Sequence, residues 1–235
     1  EIASCLVGSE MCIRDRYRLG AELVAARDVC PHRGVPLSMG SADGAGVVCA
    51  YHGLRFGSGG RCNHIPASPN QNIPAKMRLH TYAVAERYGL IWVCLAKPAG
   101  VSAAEVQIPP MPGWDEDGFQ QIVCPGFDIA GSAARQLEGF IDVAHFAFVH
   151  TATFAQPDKR EVPAYTTTET PTGFNADYLS SVANYSVDMP LPDVDPGFQW
   201  LRHFEVHLPF TATLTIHFPV PGKRLVIMNL SLIHI

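Results

Sequence analysis

Two short stretches of this chain offer metal ligands in matched pairs. Cys30-Pro31-His32-Arg33-Gly34 is answered by Cys49-Ala50-Tyr51-His52-Gly53, so the pattern reads C-x-H, sixteen residues, then C-x-x-H. Thiolates are soft ligands that favour iron–sulfur clusters, zinc or copper(I), and imidazole suits iron and zinc. A [2Fe–2S] centre that places two Cys on one iron and two His on the other uses this ligand set. A structural Cys2His2 zinc site is the competing assignment. Zinc fingers usually pair like ligands, C-x-x-C before H-x(3–5)-H, whereas each pair here mixes Cys with His, which fits two irons ligated differently.

The two loops resemble those of the Rieske proteins, which carry C-x-H and C-x-x-H. The likeness includes Pro31, Arg33 and Gly34 in the first loop and Tyr51, His52 and Gly53 in the second. It implies that Cys30 and Cys49 hold one iron of a [2Fe–2S] cluster and that His32 and His52 hold the other.

A second constellation lies downstream in Glu138-Gly139-Phe140-Ile141-Asp142-Val143-Ala144-His145-Phe146-Ala147-Phe148-Val149-His150, which contains D-x-x-H-x-x-x-x-H. Two His and one carboxylate with open positions bind non-haem Fe(II) for oxygen chemistry. On a regular helix at about 100° per residue, Asp142 and His145 stand roughly 60° apart. His145 and His150 would stand about 140° apart, too far for one ion, so a bulge or a helix end is expected between them. Two His in an apolar helix are commonly core or pocket residues; following the cluster pair in the same chain, they point to a second iron.

The order of cluster domain, linker and D-x-x-H-x(4)-H resembles the oxygenase α subunit of Rieske non-haem iron oxygenases over about residues 17–230. The likeness extends to Arg61-Cys62-Asn63-His64-Ile65-Pro66 and is nearest the vanillate demethylase-like and phenoxybenzoate dioxygenase-like branch. It implies that His145 and His150 bind a mononuclear non-haem Fe(II). Asp142 matches the carboxylate that, in a head-to-tail homotrimer, links a cluster His of one subunit to an iron-ligand His of its neighbour; His52 and His145 would be the two ends. In two respects the chain departs from the family. Gly139 stands where the family often has Asn, removing a polar contact. The third iron ligand, a carboxylate, is expected beyond residue 235; Asp177, Asp188, Asp193, Asp195 and Glu205 lack the family context and none is assigned. His203, Glu205 and His207 share one face of a predicted strand and could imitate a metal site, but are read as flanking a pocket or facing solvent. Phe140, Phe146 and Phe148 are read as core or pocket lining. Cys62, Cys94 and Cys124 are read as structural, reduced thiols.

The elements that must position these residues are mostly strands. Glu22–Arg27 leads into the first cluster loop, Val47–Ala50 leads into the second after the turn Asp43-Gly44-Ala45-Gly46, and Leu54–Phe56 leaves it. Leu79–Ala85 and the apolar run Leu90–Leu95 complete a small all-β domain. Lys97–Gly113, with four prolines and two glycines, reads as a linker. Beyond it the pattern predicts a strand at Gln120–Cys124, a helix over Ile129–Val149, and strands at Tyr178–Val187, Gln199–Leu208, Thr211–Phe218 and Leu225–Leu230. The fold class is therefore α+β: a small all-β [2Fe–2S] domain, then an antiparallel sheet with one helix. The family likeness makes the second domain helix-grip-like, catalytic and truncated.

The chain has 235 residues, 47% hydrophobic and only 17% charged, with a formal net charge of −5. It shows no basic run for nucleic acid and no apolar run of membrane-spanning length. Seven Cys and no secretion signal argue against a disulfide framework and for a cytoplasmic setting. Residues 1–16 and 231–235 resemble translated sequencing-adapter readthrough of the kind found in metagenomic assemblies, which would leave Cys5, Cys12 and His234 without chemical meaning. The expected division is then 17–105 for the cluster domain, lacking its first strands, and 106–230 for the catalytic domain.

The likeness implies a terminal oxygenase. Electrons from NAD(P)H would reach the cluster through a reductase or ferredoxin partner. With O2 as co-substrate, an aromatic or heteroaromatic compound would be hydroxylated, dihydroxylated or oxidatively demethylated. The chain as it stands is expected to be inactive. Two other readings remain open: a Rieske ferredoxin-type electron carrier, which needs only the first constellation, and a zinc-stabilised binding module.

Overall fold

The structure is a computed structural model that describes residues 5–7, 14–98, 108–181, 194, 195 and 197–231; for 5–7, 14–16 and 96–98 it describes the backbone alone. The chain divides into two compact units at Ile108 and Pro109. Most of the expected linker, and the end of the strand expected at Tyr178–Val187, lie outside the described residues.

The first unit holds two antiparallel sheets. One contains β1 (Cys5–Val7), β2 (Arg14–Leu19), β3 (Glu22–Arg27), β8 (Thr81–Arg87) and β9 (Leu90–Pro98) in the order β1-β9-β8-β3-β2. The other contains β4 (Ser41–Ala42), β5 (Val47–Val48), β6 (Arg55–Phe56) and β7 (Cys62–His64) in sequence order. Short strands suffice because the core fills the space around the small sheet. Phe56 is fully buried, and Leu37, Val47 and Leu54 join it with Cys30 and Cys49. Burying a side chain of Phe size stabilises by about 1.5–3 kcal/mol. Tyr17 of β2 donates its hydroxyl to the Gly57 carbonyl at 2.7 Å, tying one sheet to the connection between β6 and β7 of the other.

The second unit is a five-stranded antiparallel sheet, β10 (Thr166–Thr170), β11 (Gly173–Ser180), β12 (Trp200–His207), β13 (Thr211–His217) and β14 (Arg224–Leu230), hydrogen-bonded in sequence order. β12 alternates buried and part-exposed residues along its length. Its buried row is Trp200, Arg202, Phe204 and Val206. Against it pack Phe140 and Ile141 of a helix, α1 (Ala133–Ile141). Ser132 caps α1 by accepting the Arg135 N–H at 3.3 Å. Gln136 and Asn229 of β14 exchange two side-chain hydrogen bonds of 2.9 Å, fixing the helix along the sheet edge.

Two expectations fail here. Gln120–Cys124 is not a strand; residues 120–132 are exposed, with Ile122 at 75% and Val123 at 66%, and an extended segment needs a partner to become a strand. The helix expected over Ile129–Val149 is split. α1 stops at Ile141, Asp142 turns out of it at ψ 124°, and one further turn, α2 (Phe146–Val149), follows. Propensity alone favoured continuity, but the Asp142 carboxylate accepts the Ala144 N–H at 2.8 Å, offering the backbone an alternative to the next helical bond.

Candidate metal centres

The two cluster loops share one backbone frame. In the first, the Cys30 N–H donates to Val35 O at 2.8 Å and the Gly34 N–H to Cys30 O at 2.9 Å. In the second, Cys49 N–H donates to Leu54 O at 2.9 Å and Gly53 N–H to Cys49 O at 3.0 Å. Each frame starts at Cys and turns back at a Gly of positive φ, +77° at Gly34 and +68° at Gly53. A side chain at either position would be strained, which accounts for the two glycines. C-x-H and C-x-x-H therefore differ only in which position of a common five-residue frame carries the imidazole.

The frames bury their thiols and expose their imidazoles. Cys30 and Cys49 are 2% and 3% exposed, whereas His32 and His52 stand at the surface with ring centroids 4.8 Å apart. Burial pushes the Cys30 thiol up, and its hydrogen bond to Cys49 adds to the rise. To hold iron, Cys30 and Cys49 would bind as thiolates, giving up those protons. Among the described residues no three His, Cys, Asp or Glu side chains gather as one ion would need. A two-iron cluster would divide the four, with Cys30 and Cys49 on one iron and His32 and His52 on the other. The donor set fits the cluster. Tyr51 lies on His52, ring centroids 3.8 Å apart at 35°.

The second constellation is assembled by the helix break. His145 precedes α2 and His150 follows it, and their ring centroids lie 5.1 Å apart. A bulge or a helix end was expected between them; α2 ends at Val149, just before His150, and the longer helix is broken earlier as well, between Asp142 and His145. Asp142 Oδ2 stands 3.2 Å from His145 Nδ1, which leaves Nε2 of that ring as the free ligand atom. The Asp142 side chain is 46% exposed, so half of it remains open to another group. Two neutral imidazoles and a nearby carboxylate suit Fe(II). Gly139 has nothing within 4 Å of where a Cβ would stand, so the polar residue common in the resembled family would fit there without displacing anything.

The other candidates separate. His203, Glu205 and His207 do share the outer face of β12, but they do not converge on an ion. His203 meets Asp177 at 2.6 Å, Glu205 accepts from Thr213 at 3.2 Å and His207 meets Thr172 at 3.2 Å. Burial lowers the His207 pKa. Asp195 accepts the Gly197 N–H at 2.7 Å, and Asp188 and Asp193 lie outside the described residues. Cys62 and Cys94 are buried thiols, and burial raises Cys62. Cys124 is exposed, so its structural assignment is corrected: it packs into no core. Phe140 is core, Phe146 stands among the imidazoles, and Phe148 is 64% exposed and is neither.

Two residues were missed by the sequence reading. Arg202 is fully buried, its guanidinium within 6 Å of the Phe146 and Tyr178 ring centroids (5.9 and 5.6 Å), and burial lowers its pKa to about 10. It is still charged at neutral pH, a fixed cation behind α2. Its inward place in the alternation of β12 was the available signal. Phe154 stacks on His150; its signal, an aromatic four residues after a candidate ligand, was too common to single out.

Paired loops that bury two thiols and present two imidazoles define a Rieske-type iron–sulfur domain. Residues 6–83 match the Rieske [2Fe-2S] domain family, and the chain carries that domain. Its relatives include demethylases and oxygenase subunits. The chain is 35% identical over 146 residues to methylxanthine N1-demethylase NdmA of Pseudomonas putida, 62% of this chain and 40% of that protein. It is 32% identical over 191 residues to the vanillate O-demethylase oxygenase subunit of a Pseudomonas species, 77% of this chain and 51% of that protein. The solved structure of the Pseudomonas putida CBB5 NdmA QL mutant with theobromine superposes with a TM-score of 0.73 at 26% identity, covering 92% of this chain and 59% of that one. The α+β architecture is that of these oxygenases. The chain spans about half the length, or less, of the curated relatives it matches.

Proposed function

We propose that this chain belongs to the terminal oxygenase of a Rieske non-haem iron system acting on an aromatic or heteroaromatic compound. The observation that carries the reading is the pairing of His145 and His150 across one helical turn, with Asp142 on His145, in a chain that also bears a cluster domain. An electron carrier has no use for the second group. The two metal centres, when bound, store electrons and activate O2; the side chains hold and orient them. Oxidative demethylation is the outcome we favour, because the relatives named above are demethylases. There two electrons, two protons and one O2 convert a heteroatom-bound methyl group into X–H, formaldehyde and water. The electrons come from NAD(P)H through a reductase or ferredoxin.

Asp142 we assign as the bridge between His145 and His52 of a neighbouring subunit in a homotrimer. Its exposed carboxylate edge supports that role, since a bridge must be open in the isolated chain. The third iron ligand we place beyond residue 235. A cytoplasmic setting is part of the proposal. Among the described residues no helix is long and apolar enough to cross a membrane.

The test uses the protein expressed to its natural stop codon, with a reductase, NADH and a panel of N-methyl heteroaromatics, methoxylated aromatics and unsubstituted aromatics. Substrate-dependent formaldehyde or a hydroxylated product is expected. Reversible reduction of the cluster without product on any class, and without mononuclear iron, would favour the electron carrier.

A further inference from the structure

We infer that Phe154 is the positioning residue for the His150 imidazole, a role that rests on the reading of His145 and His150 as iron ligands. The two imidazoles are held by different devices. His145 is oriented by the Asp142 carboxylate at 3.2 Å. Among the described residues the His150 ring makes no hydrogen bond; it lies against Phe154 instead, centroids 4.8 Å apart and planes 20° from parallel.

The backbone builds this stack. The His150 carbonyl accepts from Thr153 N at 3.0 Å, Phe154 N at 3.2 Å, Ala155 N at 3.1 Å and the Thr153 hydroxyl at 3.1 Å. That convergence curls residues 151–155 under His150 and returns Phe154 to its ring. Ala155, 2% exposed, anchors the far end of the curl. Phe146 then closes the group edge-on, with centroids 5.1 Å from Phe154, 5.9 Å from His150 and 5.0 Å from His145.

A stacked ring restricts rotation of the imidazole about its Cβ–Cγ bond but leaves both nitrogens unengaged. His150 is thereby given a plane without a fixed tautomer, whereas His145 is given both by its carboxylate. The stack also covers one face of the His150 ring with hydrocarbon, which keeps water from that side. Offset and stacked aromatic pairs contribute beyond their buried area, enough to change an equilibrium by about three- to tenfold.

The experiment compares Phe154→Leu, Phe154→Tyr and His150→Ala in the protein expressed from its complete gene. Three quantities are read: Fe(II) affinity after selective removal of mononuclear iron, the EPR signal of the nitric oxide adduct of that iron, and the Rieske EPR signal. Circular dichroism checks folding of each variant. For Phe154→Leu we expect Fe(II) affinity to fall about three- to tenfold and the rhombicity of the nitrosyl signal to broaden, with the Rieske signal unchanged. Phe154→Tyr, which keeps the ring, is expected to restore both. Leu with wild-type affinity and nitrosyl signal, or Tyr as impaired as Leu, overturns the stacking role. If His150→Ala retains iron at wild-type affinity, the ligand assignment itself fails; if it loses iron while Phe154→Leu does not, only the positioning role fails.

Discussion

Asp142→Asn separates what this carboxylate does for folding from what it does for iron. Oδ1 accepts the Ala144 N–H at 2.8 Å and shapes the turn that ends α1; Oδ2 faces His145 Nδ1 at 3.2 Å. Asn keeps the first oxygen, so the turn and its roughly 0.5–1.5 kcal/mol survive. At the second position it presents an NH2, a donor facing the Nδ1–H that His145 needs if its Nε2 is to bind metal. His145 then either loses its partner or turns to the tautomer whose Nε2 carries the proton and cannot ligate. Removing such an outer partner costs about 10–100-fold in metal affinity or activity, roughly 1.4–2.8 kcal/mol. The assay is turnover under saturating Fe(II), so that both centres are filled, with Fe(II) affinity measured separately and a thermal melt as the folding control. We expect an unchanged melt, both metals bound at saturation and turnover down about 10–100-fold. Asp142→Ala should show the same loss of turnover together with a lower melting temperature, because the turn bond also goes. Wild-type turnover and affinity in the Asn variant would refute the orienting role and, with it, the bridge.

Cys49→Ala should abolish the visible absorption and reduced-state EPR signal of the cluster while leaving the second unit folded; an unchanged EPR signal refutes the ligand assignment. Gly53→Ala forces an L side chain to φ +68° with its Cβ 3.0 Å from Pro66 Cγ, at a cost of about 1–2 kcal/mol, and should lower the temperature at which the cluster colour is lost; equal bleaching curves would refute the frame argument. Burial lowers the His207 pKa, so the unfolded chain takes up the proton first as pH falls. Its stabilising contribution is complete above the ordinary His value of about 6.5 and is lost below it. Urea midpoints of the second unit between pH 8 and 5 should therefore fall less steeply in His207→Gln, and identical slopes would refute this.

The cluster loops were legible because every part of them is local. Cys30 and Gly34 close one frame, Cys49 and Gly53 the other, and residue type and spacing state both the candidate ligands and the turn. The strands were legible where burial alternates, as in β12; β13 is buried along most of its length, although its residue types alternate. The break after α1 was not, because it depends on one side chain, Asp142, competing for a backbone N–H, and the composition of 129–149 outweighs it in any helix reading. Gln120–Cys124 reads as a strand from its residues, yet a strand is a property of two segments, and the sequence does not show that a partner is missing. Arg202 was hidden for the opposite reason. A charged residue in the buried register of β12 looks like an interruption of the pattern until the Phe146 and Tyr178 rings on either side are seen.

The two metal centres differ in how much of the chain each one needs. The cluster frames are completed within twenty-five residues, Cys30 to Leu54, by backbone hydrogen bonds from the same segments that carry the ligands. Within the first unit, substitutions elsewhere reach that site through the core that buries Cys30 and Cys49. The imidazoles of the second site stand at the two ends of a single helical turn. Their orientation comes from side chains, Asp142 on one and Phe154 on the other, and no third ligand joins them among the described residues. A site of that kind is tuned by many more positions, including residues on the sheet behind α2 such as Arg202 and Tyr178. Electron storage needs one fixed geometry and is served by backbone frames. Substrate choice needs a geometry that can change between relatives, and side chains on a broken helix over a sheet can change without unfolding either element. On the proposed function, substitutions that alter substrate preference are expected around α2 and the inner face of β11 and β12, not in the loops 30–34 and 49–53.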